Sequence, residues 1–307
     1  MRSAPEHLDI VLSQVRAIEP LEVGLLGSVG LVLAQDVAVT DDDSQYTLLN
    51  KGTQIAARHV ALLAAAGLGR VLVHPMPRVV VLTVGNDLSD PGSDDELIPD
   101  INGVALTSAA TAAGAMTFRV GPLPSDEETL RSAIEDQLVR ADVILTACGM
   151  SSDDYELLTS VLRSIGKMEF VRVSMQPGGA QGFGEIGPDQ TPVFVLPGNP
   201  VGALLSFDVF VRPLIRRMMG QTSLHHRVVE AILDEDIESS TDDTHYIRAQ
   251  ITSSVGAPHV RSLENSETHP LAGLGTADAL IIVPSGVEKV SAGQKVAVML
   301  LDPQANQ

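Results

Sequence analysis

The order of short apolar runs between residues 78 and 220 constrains this chain more than any other feature. Val79–Thr83, Met116–Val120, Val143–Thr146, Phe170–Val173 and Pro192–Leu196 are brief and rich in β-branched residues, the pattern of strands buried on both faces. Between them lie helical stretches: the small-residue segment Gly103–Gly114, a segment reaching Arg140, Tyr155–Ile165 and Val201–Met219. Ser125, with Glu128 three residues later, predicts a capping box for the second of these. Alternation of this kind specifies an α/β unit: a mostly parallel sheet, helices on both faces, and ligands at the carboxyl ends of the strands.

The flanks read differently. Leu8, Val11, Leu12, Val15 and Ile18 form a helical stripe over residues 5–18. Val29–Val39 reads as a strand, Asp41–Ser44 as a solvated loop, Arg58–Ala66 as a helix stopped by Gly67, and Arg70–His74 as a strand. Pro75 and Pro77 mark a linker. After Gly220, the β-type runs Val228–Leu233, His245–Ile251, Ala279–Val283 and Lys295–Leu301 predict a small barrel or sandwich. The expected division is 1–77, 78–222 and 223–307.

Composition excludes several functions. Hydrophobic residues are 44% and charged residues 19%, which is globular; aromatics are 3% and Trp is absent, which leaves little for base stacking. A net charge of -19 argues against nucleic acid and anionic membrane as partners. A single cysteine, Cys148, precludes an intrachain disulfide and a thiolate metal cage. With no signal-type leader and no apolar run of about 18 residues, the expectation is a cytoplasmic chain with no direct membrane insertion.

Loops at the carboxyl edge of the expected sheet carry the candidate site. Val84-Gly85-Asn86-Asp87-Leu88 and Asp100-Ile101-Asn102 follow the first strand. Cys148-Gly149-Met150-Ser151 leads through Asp154 into a helix, and the loop Gln176-Pro177-Gly178-Gly179-Ala180-Gln181-Gly182-Phe183-Gly184 follows Val173. In Leu196-Pro197-Gly198-Asn199-Pro200, a strand breaks into a tight loop and opens a helix, a geometry that suits an anion. Glycines permit close backbone approach to a phosphate, and carboxylates supply oxygen ligands for Mg²⁺.

With those loops in this order, the chain resembles the bacterial molybdopterin molybdenumtransferases (MoeA) and the homologous gephyrin E domain. Asp100-x-Asn102 matches the family's Asp-Ser-Asn, Cys148-Gly149-Met150-Ser151 its Gly-Gly-Val-Ser, and Leu196–Pro200 its Leu-Pro-Gly-Asn-Pro. Ala277-Asp278-Ala279-Leu280-Ile281-Ile282-Val283-Pro284 matches the C-terminal β-domain signature. The resemblance implies a three-layer molybdopterin-binding α/β domain of MoaB/MogA type, a mixed N-terminal segment and a β-barrel-like C-terminal domain. It implies molybdate insertion into adenylylated molybdopterin with Mg²⁺ assisting, and a homodimer. The site it implies comprises Gly85, Asn86, Asp100, Asn102, Gly149, Ser151, Pro177, Gly178, Pro197, Gly198, Asn199, Pro200 and Thr268, with Asp154 and Asp87 as catalytic and metal carboxylates.

Departures from the family pattern suggest an alternative, a gephyrin-like dimeric scaffold or regulator with a protein partner. The lid inserted after the first strand is missing, which leaves the cleft open to water. Asn86 stands at an acid position, Gln176 and Gly179 at lysine positions, and Asp242-Asp243 where a Gly-Arg contacts the oxyanion; Thr268-His269 keeps a hydroxyl. Like charges there cost on the order of 1 kcal/mol or more per pair. On these grounds insertion is expected to be very slow or absent. Several residues have structural readings alongside. Asp154 or Ser151 could cap the helix at Tyr155, Asp87 could be a solvated loop residue, and Cys148 a buried thiol. His225 and His226 read as linker, and Arg212, Arg216 and Arg217 as partners of a helix dipole and solvent. The cleft of Gly149, Ser151, Asp154, Pro197, Gly198 and Asn199 is expected to be the largest polar concavity.

Overall fold

A computed structural model of the chain describes residues 1–41, 44–94, 96–149, 151–239, 242–253, 257–264 and 271–301. Asp42, Asp43, Met150, Thr268 and His269 lie outside these.

The N-terminal part comprises α1 (Ala4–Ser13), β1 (Leu21–Gly24), β2 (Val32–Leu33), β3 (Val37–Asp41), β4 (Ser44–Leu49), α2 (Ala57–Ala65) and β5 (Arg70–His74). Ser3 and Glu6 close a capping box on α1, and Pro5 occupies its first turn. The helix stops at Ser13, short of the expected Ile18. Beyond it the backbone bonds sideways, Ile18 N–H to the Met218 carbonyl (2.8 Å), and Arg217 Nε donates to the Val15 carbonyl (3.1 Å). The strand expected over Val29–Val39 is divided. Asp36, at the break, accepts from Lys51 N–H (2.7 Å), so β2 joins the antiparallel sheet β1-β5-β2 while β3 and β4 form a separate hairpin.

The central part runs β6 (Arg78–Val84), β7 (Leu88–Ser89), β8 (Ile98–Pro99), α3 (Ile101–Ala112), β9 (Met116–Leu123), α4 (Glu127–Leu138), β10 (Val143–Cys148), α5 (Ser152–Ile165), β11 (Gly166–Arg172), β12 (Met175–Gln176), β13 (Ala180–Ile186), β14 (Thr191–Leu196), α6 (Pro200–Ser206) and α7 (Arg212–Met218). Its sheet has the order β11-β13-β14-β10-β6-β9. The last four strands are parallel, whereas β13 runs antiparallel to both of its neighbours, β14 and β11, so the sheet is mixed. The second half of the expected Gln176–Gly184 loop is strand β13.

Alternate residues of each strand enter opposite cores, as a period of two requires. Val79, Val81, Leu145, Phe194 and Leu196 pack with Leu106, Phe207, Phe210 and Leu214 on one side. Val80, Leu82, Ile144, Val193 and Val195 pack with Leu130, Ile134, Leu158 and Leu162 on the other. This is the expected three-layer arrangement.

Two helix boundaries differ from expectation. Asp126, not Ser125, caps α4, its carboxylate accepting from Thr129 N–H (2.8 Å). The expected Val201–Met219 helix widens into a π turn at Phe207–Val211. Pro213 follows; it has no N–H to continue an i→i−4 ladder, and a wider turn accommodates that gap. The three arginines beyond the π turn also hold the chain: half-buried Arg212 and Arg216 donate to the Leu224 and Ser223 carbonyls (2.9 and 2.7 Å), and exposed Arg217 to the Val15 carbonyl.

The C-terminal part contains β15 (Val228–Leu233), β16 (Ile237–Glu238), β17 (Thr244–Ser253), β18 (His259–Ser262), β19 (Ala279–Val283), β20 (Lys289–Val290) and β21 (Lys295–Leu300). The cycle β17-β18-β15-β21-β19 closes because β17 also pairs with β19, giving a five-stranded barrel. From the central part, β12 adds to this barrel in parallel with β17, Met175 opposite Thr244. No helix among the described residues is long and apolar enough to cross a membrane.

Two interiors predict measurable behaviour. His7 is 2% exposed and packs edge-on against Phe210; Arg2 Nη1 approaches its Nδ1 (3.3 Å), and its Nε2 has no partner. Burial, helped by the Arg2 charge, lowers its pKa from 6.5 to about 4. The unfolded chain therefore takes up this proton below pH 6.5 while the folded chain does not, so stability is lost as pH falls from 6.5 towards 4. Thermal melts of His7→Gln over that range are expected to lose less stability than the parent; equal losses would assign the effect elsewhere.

Asp100, 1% exposed, caps α3 through Gly103 N–H (2.8 Å). It also accepts from Thr83 Oγ1 (2.6 Å) and Arg119 Nη2 (2.7 Å). Asp100→Ala strands all three donors, and urea denaturation is expected to give a loss of about 3–5 kcal/mol; a loss below about 1 kcal/mol would show that the network is not structural.

Candidate functional site

Carboxyl ends of β6, β10 and β14 meet at a cleft of about 270 Å³. Its walls hold Asp87, Asp100, Asn102, Gly149, Ser151, Gly198 and Pro200, with Leu88, Ile98, Pro99 and Ile101 as an apolar side. Other hollows are larger, one of about 410 Å³ at the opposite sheet edge beside Arg78 and Asp142 and one of about 620 Å³ on the barrel. The expectation that this is the largest concavity is thus corrected.

Close backbone approach shapes the floor. A Cβ on Gly198 would lie 2.3 Å from the Gly149 carbonyl oxygen, so only glycine lets these two loops touch. Asn102 Nδ2 bridges the same loops, donating to the Gly198 carbonyl at 2.7 Å and to the Cys148 carbonyl at 3.3 Å. Its Oδ1 is buried without a partner.

The helix N-termini here are filled by side chains. Asp100 caps α3, Ser151 caps α5 through Asp154 N–H (3.4 Å), and Asn199 Oδ1 accepts from Val201 and Gly202 N–H (2.9 and 3.4 Å). The α6 terminus expected to suit an anion is therefore already occupied by Asn199. Asp100 is likewise committed to Thr83, Gly103 and Arg119. Ser151 differs: its oxygen accepts from the backbone, and its hydroxyl proton has no acceptor among the described residues.

Other expected residues lie away from the cleft walls. Gly85 and Asn86 stand behind Asp87, and Asn86 Oδ1 accepts from Ser125 N–H (3.0 Å). Asp154 is 8% exposed and sits inside the first turn of α5, where Ser125 Oγ donates to its Oδ1. Pro197 packs towards Gly202. Pro177 lines a separate cavity of about 140 Å³ with Tyr246, Arg248 and Leu280, and Gly178 (φ +88°) rests on Gly202 and Ser206.

Cys148 is buried, and burial together with the Asp154 charge pushes its thiol up to about 12, so it is inert as a nucleophile. Among the described residues no three His, Cys, Asp or Glu side chains group to hold a metal ion. The two carboxylates expected to share one do not stand alike: Asp87 faces the cleft, Asp154 faces Ser125.

Four side chains escaped the sequence reading: Ser125, Arg119, Arg172 and His226. Ser125 looked like a cap, and Arg119 was an interior strand residue that in fact neutralises Asp100. Arg172 donates to the 4%-exposed Asp243 (2.8 Å), so the carboxylate expected to repel an anion is matched by a cation that is itself largely exposed. His226, read as linker, pairs with Asp208 in the π turn (2.8 Å).

Residues 80–217 match the family described as "Probable molybdopterin binding domain", and residues 230–301 the "MoeA C-terminal region (domain IV)". The chain is 41% identical over 259 residues to molybdopterin molybdenumtransferase 1 of Mycobacterium tuberculosis (strain H37Rv), covering 81% of this chain and 60% of that protein. Molybdopterin molybdenumtransferase 2 of the same strain is 32% identical over 260 residues, with 82% and 63% covered. The chain thus spans 60–63% of the length of these curated relatives. The solved structure of the molybdopterin biosynthesis MoeA protein from Pyrococcus horikosii shares the fold, with a TM-score of 0.84 at 19% identity and 98% and 99% of the two chains covered. The chain belongs to the MoeA family.

Proposed function

We propose that this chain acts in molybdenum cofactor biosynthesis, binding molybdopterin or its adenylylate in the cleft and accepting molybdate into the dithiolene as AMP leaves. The observation that carries this reading is the cleft itself. It joins an apolar wall to the Ser151 hydroxyl and the Asp87 carboxylate, both without a side-chain acceptor or donor among the described residues, at the carboxyl ends of parallel strands, in a chain 41% identical to a molybdopterin molybdenumtransferase.

The residues divide the work by chemistry. Leu88, Ile98 and Ile101 take the flat pterin face, and Ser151 Oγ–H donates to a phosphate oxygen. Gly149 and Gly198 let the ligand approach the backbone. Mg²⁺ uses one or two protein carboxylates plus substrate phosphates, so the lone Asp87 fits a metal that arrives with the nucleotide. Bound there, the ion would neutralise phosphate charge and aid departure of AMP.

With adenylylated molybdopterin, Mg²⁺ and molybdate, this chain is expected to release AMP in a molybdate-dependent manner. The rate should fall below that of a full-length relative, because the lid that the resemblance implies after the first strand is missing from this sequence, which leaves the cleft open to water. Asp87→Asn is expected to lower the rate at least tenfold, about 1.4 kcal/mol. No AMP release under any of these conditions would overturn the reading.

A homodimer working in the cytoplasm belongs to the same proposal. Leu21, Leu26 and Val29 are exposed along one short stretch, Leu26 by 89%, and burial between two copies would cover them. Light scattering at micromolar concentration should give twice the chain mass; a stable monomer would count against this.

A further inference from the structure

Two loops of the cleft, after β6 and β10, are laced together behind it through the loop after β9. Gly85 N–H donates to the Leu123 carbonyl (3.0 Å), and Gly149 N–H to the Val84 carbonyl (3.1 Å). Alongside these backbone bonds runs a line of side chains. Ser125 N–H donates to Asn86 Oδ1 (3.0 Å), Ser125 Oγ donates to Asp154 Oδ1, and Asp154 N–H donates to Ser151 Oγ (3.4 Å). The line begins in the loop after β6, passes through the loop after β9 and ends after β10. Only its last member, Ser151, lines the cleft.

We propose that Ser125 is a positioning residue, holding Asp154 and through it the Ser151 hydroxyl in the cleft, and that Asp154 holds this loop rather than a metal ion. The proposal rests on the functional reading above and assigns the metal carboxylate to Asp87 alone.

The chemistry follows from the partners. A carboxylate that is 8% exposed needs a donor, and Ser125 supplies one. With Oδ1 taken by that hydroxyl, the carboxylate is fixed against the start of α5, and so is the turn of backbone whose N–H engages Ser151. Engaged in this way, Ser151 Oγ has its accepting side turned to the backbone and its proton left for a ligand oxygen. Loss of the Ser125 hydroxyl leaves Asp154 buried and unpaired, and the turn bearing Ser151 loses its anchor. Asp87 is independent of this line. It belongs to the loop after β6, where its carbonyl accepts from Ile98 N–H (2.8 Å).

Four variants test the proposal: S125A, S125T, D154N and D87N. Amide exchange over residues 149–155 reads the order of the turn with no ligand present. Exchange is expected to accelerate in S125A and to return towards the parent rate in S125T, which restores the donor. Calorimetry with AMP as probe, with and without Mg²⁺, reads the consequence for binding. S125A should bind AMP about tenfold more weakly, the worth of one hydrogen bond to a charged group, and S125T should recover most of that loss. D154N keeps an oxygen to accept from Ser125 and should keep the enhancement by Mg²⁺, whereas D87N should lose it. Unchanged exchange in S125A, or loss of the Mg²⁺ enhancement in D154N, would overturn the proposal. Absence of AMP binding by the parent chain would instead count against the functional reading, and the exchange rates would still decide the role of Ser125.

Discussion

The Asp100 carboxylate is the constraint from which the cleft is built. It is almost wholly buried, and it survives there because Thr83, Gly103 and Arg119 surround it with donors. Those donors come from β6, α3 and β9, so satisfying one charge fixes three elements. Capping α3 sets the direction of its first turn. That direction carries Asn102 to the carbonyls of Cys148 and Gly198, and the Asn102 amide then draws together the loops after β10 and β14. Gly198 completes the sequence of dependence by allowing the two loops into contact.

A second set of contacts makes the barrel part of the same body. Strand β12 leaves the central sheet and adds to β17, and Arg172 reaches Asp243 just before that strand. Arg212 and Arg216 hold the connection into the barrel by its carbonyls, and Arg217 holds the segment after α1. Each of these arginines donates to a fixed partner, which a planar guanidinium does at small entropic cost. Tyr246 and Leu280 of the barrel consequently share a core with the helices of the central part.

Periodicity carried the sequence reading wherever burial was two-sided. Val79–Thr83, Val143–Thr146 and Val193–Leu196 are strands in the structure because no other element buries so short a β-branched run. Reading failed where one residue chooses between partners. Asp126 rather than Ser125 caps α4, a shift of one position that sent Ser125 to Asp154. Helix α1 ends early because backbone groups after Ser13 bond to Arg217 and Met218 in the last turn of α7, a long-range choice with no local signal. The antiparallel β13 was hidden by its glycines: Gly182 and Gly184 read as loop, yet Phe170 and Met168 crowd these positions across the sheet and only glycine fits. The candidate site was legible as a set of loops. Which side chains face the cleft and which stand behind it depended on hydrogen bonds that cross between loops, and spacing along the chain does not encode those.

Electrostatics places the last constraint on any ligand. The chain carries a net charge of -19, and the cleft adds Asp87 with no arginine or lysine among the described residues of its walls. The one buried carboxylate nearby, Asp100, is already balanced by Arg119. Side chains occupy the three helix N-termini, so their dipoles are in part spent on Asp100, Ser151 and Asn199 rather than on a guest. A bare phosphate entering here meets a hydroxyl donor and a carboxylate, and the carboxylate opposes it. A phosphate accompanied by a divalent cation meets the same carboxylate as an attraction, because the cation lies between two anions. Salt screens the remainder of the acidic surface beyond roughly 8–10 Å, so the sign of the interaction is set within the cleft. Under the proposed function, Asp87 would favour a nucleotide–metal pair over the free anion by charge alone.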